Sequence, residues 1–293
     1  MAGASKSFTG HTAVSELDLT IPRGGVCGLL GPNGSGKTTT LRMIMGILMP
    51  DRGSVSLFGG DPKHTRRKQV GYLPEERGLY PKMKVLEQLT FLAEIRGLSK
   101  SEGRARAGRW LERFELAAWA DKKAEALSKG MQQKVQFIGT VLHEPELLIL
   151  DEPFSGLDPI NQDALERLVR DFRDQGRTII FSTHLMHQAE SLCDRVCLIS
   201  SSRKIIDSNL RELKREERKG AVGVEFEGPD HWMGGPEIAS VEDMDGWSRL
   251  VLRDGADHQP ILERAVAAGA RILRFELLEP SLHEIFLRYT DDR

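Results

Sequence analysis

Short apolar runs alternate with helical periodicities along the first two thirds of the chain. Val26-Cys27-Gly28-Leu29-Leu30, Leu147 to Leu150, Thr178 to Phe181 and Val196 to Ile199 are continuous apolar runs of strand length. Runs of that kind suit strands buried on both faces of a parallel sheet. Helical patterns fill the intervals, over about 38–48, 84–96, 131–143 and 163–174. Strands alternating with helices predict an α/β domain with a mainly parallel sheet. Around Arg211 to Lys219 the chain becomes charge-dense and mixed in sign, as a solvated helix end or linker does. Beyond it Val222, Val224 and Phe226 alternate with Gly223, Glu225 and Glu227, the period of a half-buried strand. A second strand is expected over 247–253, a helix over 258–268 and a strand over 271–277, in an order suggestive of a ferredoxin-like unit. Leu282, Ile285, Phe286 and Tyr289 share one helical face. The division expected is a first domain over 1–215 and a small α+β domain over 220–293.

Composition narrows this picture. The chain has 293 residues, with 41 Lys and Arg against 43 Asp and Glu and a net charge of −2. That balance argues against broad electrostatic binding to nucleic acid. No apolar run approaches the roughly 20 residues of a spanning helix, and Met1 to Gly10 has no apolar core of a signal peptide. The cysteines, Cys27, Cys193 and Cys197, are too few and too irregular for a disulfide framework or a metal site. They read as buried thiols of a cytosolic chain.

One loop carries clear chemistry. Gly31-Pro32-Asn33-Gly34-Ser35-Gly36-Lys37-Thr38, followed by Thr39, has the spacing of a phosphate-binding P-loop. Backbone N–H groups must approach a polyphosphate closely, and glycines keep side chains out of the way. Lys37 supplies a cation for β- and γ-phosphates, and the Thr38 hydroxyl is a ligand for Mg²⁺. The helix that starts there aims its positive end at the anion. Leu147-Leu-Ile-Leu-Asp151-Glu152 is an apolar strand ending in two carboxylates. Asp151 is placed to hold Mg²⁺, and Glu152 to polarise an attacking water.

Leu127-Ser128-Lys129-Gly130-Met131-Gln132-Gln133 opens a helix shortly before that strand. Here the sequence resembles the ATP-binding subunit of an ABC transporter, whose signature reads Leu-Ser-Gly-Gly-Gln. Lys129 stands for the first glycine and Met131 for the glutamine, while Ser128 and Gly130 keep the groups that would touch a γ-phosphate. The other motifs of the family follow in order over about 5–215. Ser155-Gly-Leu-Asp158 matches the D-loop, and His184 stands where the family has its switch histidine. Val70-Gly-Tyr-Leu-Pro-Glu75 occupies the Q-loop position, with Glu75 in place of the usual glutamine and a candidate Mg²⁺ ligand. Phe8 is the candidate aromatic that stacks on adenine, behind a strand that is short or cut by the start of the chain. Gly71 to Tyr80 and Phe275 to Phe286 look like the branch of sodium- and drug-efflux-type exporters with a small C-terminal accessory domain.

The resemblance implies a P-loop α/β fold of ABC ATPase type, with a parallel sheet core and a helical signature subdomain at about 82–143. It implies ATP and Mg²⁺ as cofactors, Glu152 and His184 as catalytic residues, and ATP hydrolysis coupled to transport. Its partners would be an integral membrane permease and a second ATPase subunit, a homodimer being favoured over a heterodimer, with no nucleic acid. The protein would then sit on the cytoplasmic face of the membrane, held there by the permease, with export the expected direction. A soluble ABC ATPase of translation or DNA repair is the rival. Such proteins carry paired nucleotide domains or a long coiled coil, which this sequence lacks. A small-molecule kinase would not need the signature stretch. His258, His283 and the cysteines form no metal spacing in the C-terminal domain, which reads as a dimerisation or regulatory element.

Overall fold

The computed structural model describes residues 1–64, 67–76, 78–218 and 220–291. The chain divides into two compact units, Met1–Asn209 and Leu210–Arg293. The division falls ahead of the charge-dense segment where the sequence pattern suggested a joint, because that segment is itself a helix at the start of the second unit.

The first unit opens with a hairpin, β1 (Ala2–Phe8) and β2 (His11–Leu17), and continues through β3 (Gly25–Leu30) into helix α1 (Lys37–Ile44). Strand β4 (Arg52–Ser54) joins β1 to give a three-stranded antiparallel sheet in the order β2-β1-β4. Sequence periodicity gave no sign of this sheet, since polar and small residues dominate its strands and few of them are buried. Strand β5 (Val70–Leu73) then leads to three helices, α2 (Val85–Ile95), α3 (Lys100–Arg113) and α4 (Lys129–Val141). These lie within the expected helical subdomain. Helix α3 is so charged that its apolar face shrinks to Ala107, Leu111 and the bare Gly103, and no periodic signal announces it. Its start is fixed instead by Ser99, whose hydroxyl accepts from the Glu102 amide.

Strand β6 (Leu147–Asp151), helix α5 (Pro159–Asp174), strand β7 (Thr178–Thr183), helix α6 (Met186–Leu192) and strands β8 (Arg195–Ser200) and β9 (Arg203–Asn209) complete the unit. The six-stranded sheet runs β5-β6-β7-β3-β8-β9. Its first five strands are mutually parallel and β9 is an antiparallel edge, so the sheet is mixed rather than wholly parallel. Each residue of β6 is buried, as its unbroken apolar run required. One face of the sheet packs Leu29, Ile149, Ile180 and Cys197 against Leu41 and Ile44 of α1 and against Val14 and Leu17 of β2.

The second unit begins with α7 (Leu210–Glu216), then β10 (Ala221–Glu227), β11 (Ile238–Met244), β12 (Trp247–Leu252), α8 (Gln259–Ala267), β13 (Arg271–Leu278) and α9 (Leu282–Asp291). Its antiparallel sheet has the order β11-β12-β10-β13. Read from the other edge and numbered within the unit, that order is 4-1-3-2 over four antiparallel strands, the ferredoxin-like arrangement that the sequence suggested. Only a single turn, His231–Gly234, stands between β10 and β11. Trp232 of that turn plugs the core beside Val222, Val224, Leu250 and Ile261. Its indole N–H donates to Pro229 O at 2.8 Å, and its ring meets Phe226 edge-on at 5.1 Å.

Candidate nucleotide site

Parallel pairing brings the C-terminal ends of β3, β5, β6 and β7 to one edge of the sheet. Leu30 of β3 pairs with Thr183 of β7, Asp151 of β6 with Ser182 of β7, and Leu73 of β5 with Leu150 of β6. The loops leaving these strands carry the P-loop, Glu75, Glu152 and His184. An open α/β sheet places ligands at this edge for the same topological reason. A cleft of about 570 Å³ lies there, lined by Phe8, His11, Asn33, Gly34, Lys37, Thr38, Thr39, Glu75 and Glu152, among others.

The glycines of the loop serve two purposes. A methyl group on Gly31 would come within 2.0 Å of Ile199 O, and one on Gly36 within 2.2 Å of Ala13 O. These two let the loop nest against neighbouring backbone. Gly34, at φ +78°, has nothing within 4 Å of its missing side chain, so it alone leaves its space open. Gly36 precedes α1 with φ 109°, and no side chain caps that helix. The first amides of α1 are therefore left for an anion. The Lys37 ammonium is folded back, donating to Gly31 O at 2.8 Å and Pro32 O at 3.2 Å. It also lies 3.6 Å from Glu152 Oε1.

Glu152 adopts φ +46°, a left-handed backbone that costs a non-glycine residue energy and recurs at working sites. Its carboxylate lies 3.0 and 3.1 Å from His184 Nδ1, with Lys37 on its other side. His184 thus reaches the cleft through Glu152 and is not part of the lining itself. Ser182 joins the pair of carboxylate residues. Its hydroxyl donates to Asp151 Oδ1 at 2.6 Å and accepts from the Glu152 amide at 3.0 Å. Ser182 does not stand out in the sequence because it closes an apolar strand; a hydroxyl directly after Ile-Ile-Phe, at the strand's C-terminal end, was the available signal.

Asp151 is 1% exposed, and its Oδ2 has no hydrogen-bond partner. Its other oxygen accepts from Thr38 Oγ1 at 3.2 Å. A buried carboxylate with one idle oxygen next to a hydroxyl is a hard-oxygen donor set awaiting a cation. Mg²⁺ fits it, since that ion uses one or two protein oxygens and takes the rest from phosphates and water. Nearby, burial and the charge of Asp151 push the Tyr72 hydroxyl above its ordinary value, with Arg42 opposing.

Phe8 ends β1 opposite His11 and lines the cleft, the residue 49% exposed. Pro32 and Ser35 shape the loop without lining the cleft, the Ser35 amide donating to Pro32 O at 3.2 Å. His11 also lines the cleft, and nothing in its sequence context singles it out. Ser128 and Gly130 are not brought to the cleft. Ser128 caps α4 with its hydroxyl on the Met131 amide at 3.3 Å and is exposed to solvent.

The comparisons with known proteins agree with this geometry. The ABC transporter family model matches residues 14–155. A second, for the C-terminal domain of DrrA1-3-like ATP-binding proteins, matches residues 209–290. The uncharacterized ABC transporter ATP-binding protein YhaQ of Bacillus subtilis is 44% identical over 285 residues, which cover 97% of this chain and 95% of that protein. Nod factor export ATP-binding protein I of Burkholderia pseudomallei is 36% identical over 289 residues, covering 97% and 94%. A solved ATP-binding subunit of an ABC transporter superposes with a TM-score of 0.68 at 32% identity, covering 73% of this chain and 91% of that one. CbiO1 of Clostridium perfringens, part of the cbiONQ transporter complex, gives 0.64 at 29% identity, covering 74% and 90%.

The chain belongs to the ATP-binding proteins of ABC transporters, with a DrrA-like C-terminal domain. It is an ATPase subunit that binds ATP and powers a membrane permease. Among the described residues no helix is long and apolar enough to cross a membrane. Transport is favoured over translation or DNA repair.

Proposed function

We propose that the protein dimerises around ATP and drives an exporter. The observation that carries the reading is the placement of Glu152, strained at φ +46° and held at the cleft between Lys37 and His184. In-line attack on a γ-phosphate needs a base that is fixed in place and an anion hole beside it. Glu152 orients the water, and Lys37 turns from the loop carbonyls to the phosphates. The loop from Gly31 to Thr39 wraps the phosphates with its amides, and the Phe8 ring stacks on the base. His184 holds the Glu152 carboxylate in place and senses the γ-phosphate. Thr38 and Asp151 would hold Mg²⁺, with Glu75 as a further oxygen donor; the ion would offset negative charge on the phosphates.

Ser128 and Gly130 stand at the N-terminus of α4, outside their own cleft, with the serine hydroxyl exposed. That placement supports a second copy of the subunit whose ATP they would meet, each copy completing the other's site. The second unit serves as an accessory dimerisation or regulatory element. Export is the direction borne by the Nod factor export relative. Such a subunit works from the cytoplasmic face of the membrane, bound to its permease.

The test is Glu152→Gln. It should bind ATP with affinity near that of the wild type, hydrolyse it about a thousandfold more slowly, and accumulate as a dimer in ATP on size-exclusion chromatography. Wild-type turnover in this variant would remove Glu152 from its role.

A further inference from the structure

Helix α4 carries two buried glutamines, Gln133 and Gln136, each 7% exposed. Their i, i+3 spacing puts them on one face of the helix. Gln136 Nε2 donates to Pro74 O at 3.3 Å and to Glu76 O at 3.1 Å, so its carboxamide straddles Glu75. Gln133 Nε2 donates to Pro153 O at 3.1 Å, the carbonyl directly after Glu152. Thr140, one turn beyond Gln136, shares its hydroxyl hydrogen between Gln136 O at 3.0 Å and, more weakly, Tyr72 O at 3.4 Å in the strand that leads to Glu75. One face of one helix therefore grips the backbone of both segments whose carboxylates line the cleft.

Neither glutamine is explained by stability alone. Each carboxamide spares backbone carbonyls the loss of a partner, which an apolar side chain of the same volume would not, but any donor within reach would do that. What a carboxamide adds is direction. An NH₂ group has two hydrogens, and at Gln136 both are engaged, one on each side of Glu75. At Gln133 the bond anchors the carbonyl next to a residue whose backbone is strained and needs its surroundings to hold it.

We propose that Gln133 and Gln136 are positioning residues. Through the backbone they set the separation of Glu152 and Glu75 across the cleft, and so the fit of the magnesium–nucleotide complex between them. Because α4 begins at the Ser128 cap, a push on Ser128 reaches both carboxylates through the same rod. This rests on the reading of Glu75 as an oxygen donor toward the metal.

Nucleotide binding to the full-length protein tests it, by titrating ATP in magnesium and again in EDTA. Gln136→Met keeps the volume and loses both donors. It should reduce the magnesium-dependent gain in ATP affinity about tenfold and leave the affinity in EDTA unchanged. Gln136→Asn, whose amide is one methylene short, should do the same and serves if the methionine variant does not fold. On a Glu75→Ala background Gln136→Met should have no further effect. An unchanged magnesium gain, equal losses with and without magnesium, or additive effects with Glu75→Ala would each overturn the proposal. If Glu75→Ala itself leaves the gain intact, the reading of Glu75 fails and takes the proposal with it. If Glu75→Ala removes the gain but Gln136→Met does not, the positioning role alone is lost.

Discussion

In the first unit the buried side chains include Lys37, Asp151, Glu152, Ser182, Gln133, Gln136 and His143, whereas in the second the only buried polar side chain among the described residues is Ser248. The second unit keeps its charges at or near the surface, from the half-buried pair of Arg264 with Glu237 at 3.0 Å to exposed pairs such as Arg271 with Glu227 at 3.2 Å. Its interior is Val222, Val224, Trp232, Leu250 and Ile261. Exposed pairs of this sort contribute little to stability, so an apolar core carries that unit. The first unit tolerates a left-handed Glu152 and an idle Asp151 oxygen because they stand at the ends of strands that are buried almost throughout. Buried polarity that stability does not explain marks the part of a molecule that does chemistry.

The contrast can be broken from either side. The largest effect is expected from Trp232→Ala, which should cost the second unit about 3–5 kcal/mol. Thermal unfolding should show that loss while ATP affinity stays at the wild-type value; a matching fall in ATP affinity would mean the two units are not separable in this way. Lys37→Ala should do the reverse, lowering ATP affinity about a hundredfold with little change in the melting temperature.

Ser182→Ala lies between these cases. It leaves Asp151 and the Glu152 amide short of a partner and should lower kcat about tenfold, at a stability cost of about 1–3 kcal/mol. A change in stability with no change in kcat would make Ser182 a packing residue only. At neutral pH the smallest effect concerns His143, whose Nε2 meets Val70 O at 3.2 Å. Burial, with Arg96 nearby, pushes its pKa down from 6.5 to about 4. The unfolded chain takes up a proton first, so this contribution to stability is present above pH 6.5 and is lost as the pH falls toward 4. His143→Gln should flatten the stability profile in that window, read by denaturant melts at a series of pH values.

Much of the first unit was legible in the sequence alone. The runs at Val26 to Leu30, Leu147 to Leu150 and Thr178 to Phe181 became β3, β6 and β7, because a strand buried on both faces must be apolar throughout. Helices α4 and α5 start a little earlier than their apolar periodicity suggested, since Ser128 and Asp158 cap them ahead of the first buried residue. The hairpin β1–β2 and helix α3 were not legible: only four of the fourteen residues in the strands of the one are buried, and the other is covered in charge. In the second unit β11 was missed for the same reason, as only Ile238 of its seven residues is buried.

The residue types of the site are local properties, and the sequence by itself determined them. A glycine-rich loop ahead of a helix, and two carboxylates at the end of an apolar run, are fixed by neighbours a few positions away. What only the tertiary structure decided is which groups meet. His184 turned to Glu152, Ser182 came to bridge Asp151 and Glu152, and Gln136 reached the backbone on either side of Glu75. Each of these contacts joins residues far apart in the chain. They depend on strand order and register, which are set by how the whole sheet buries its apolar surface.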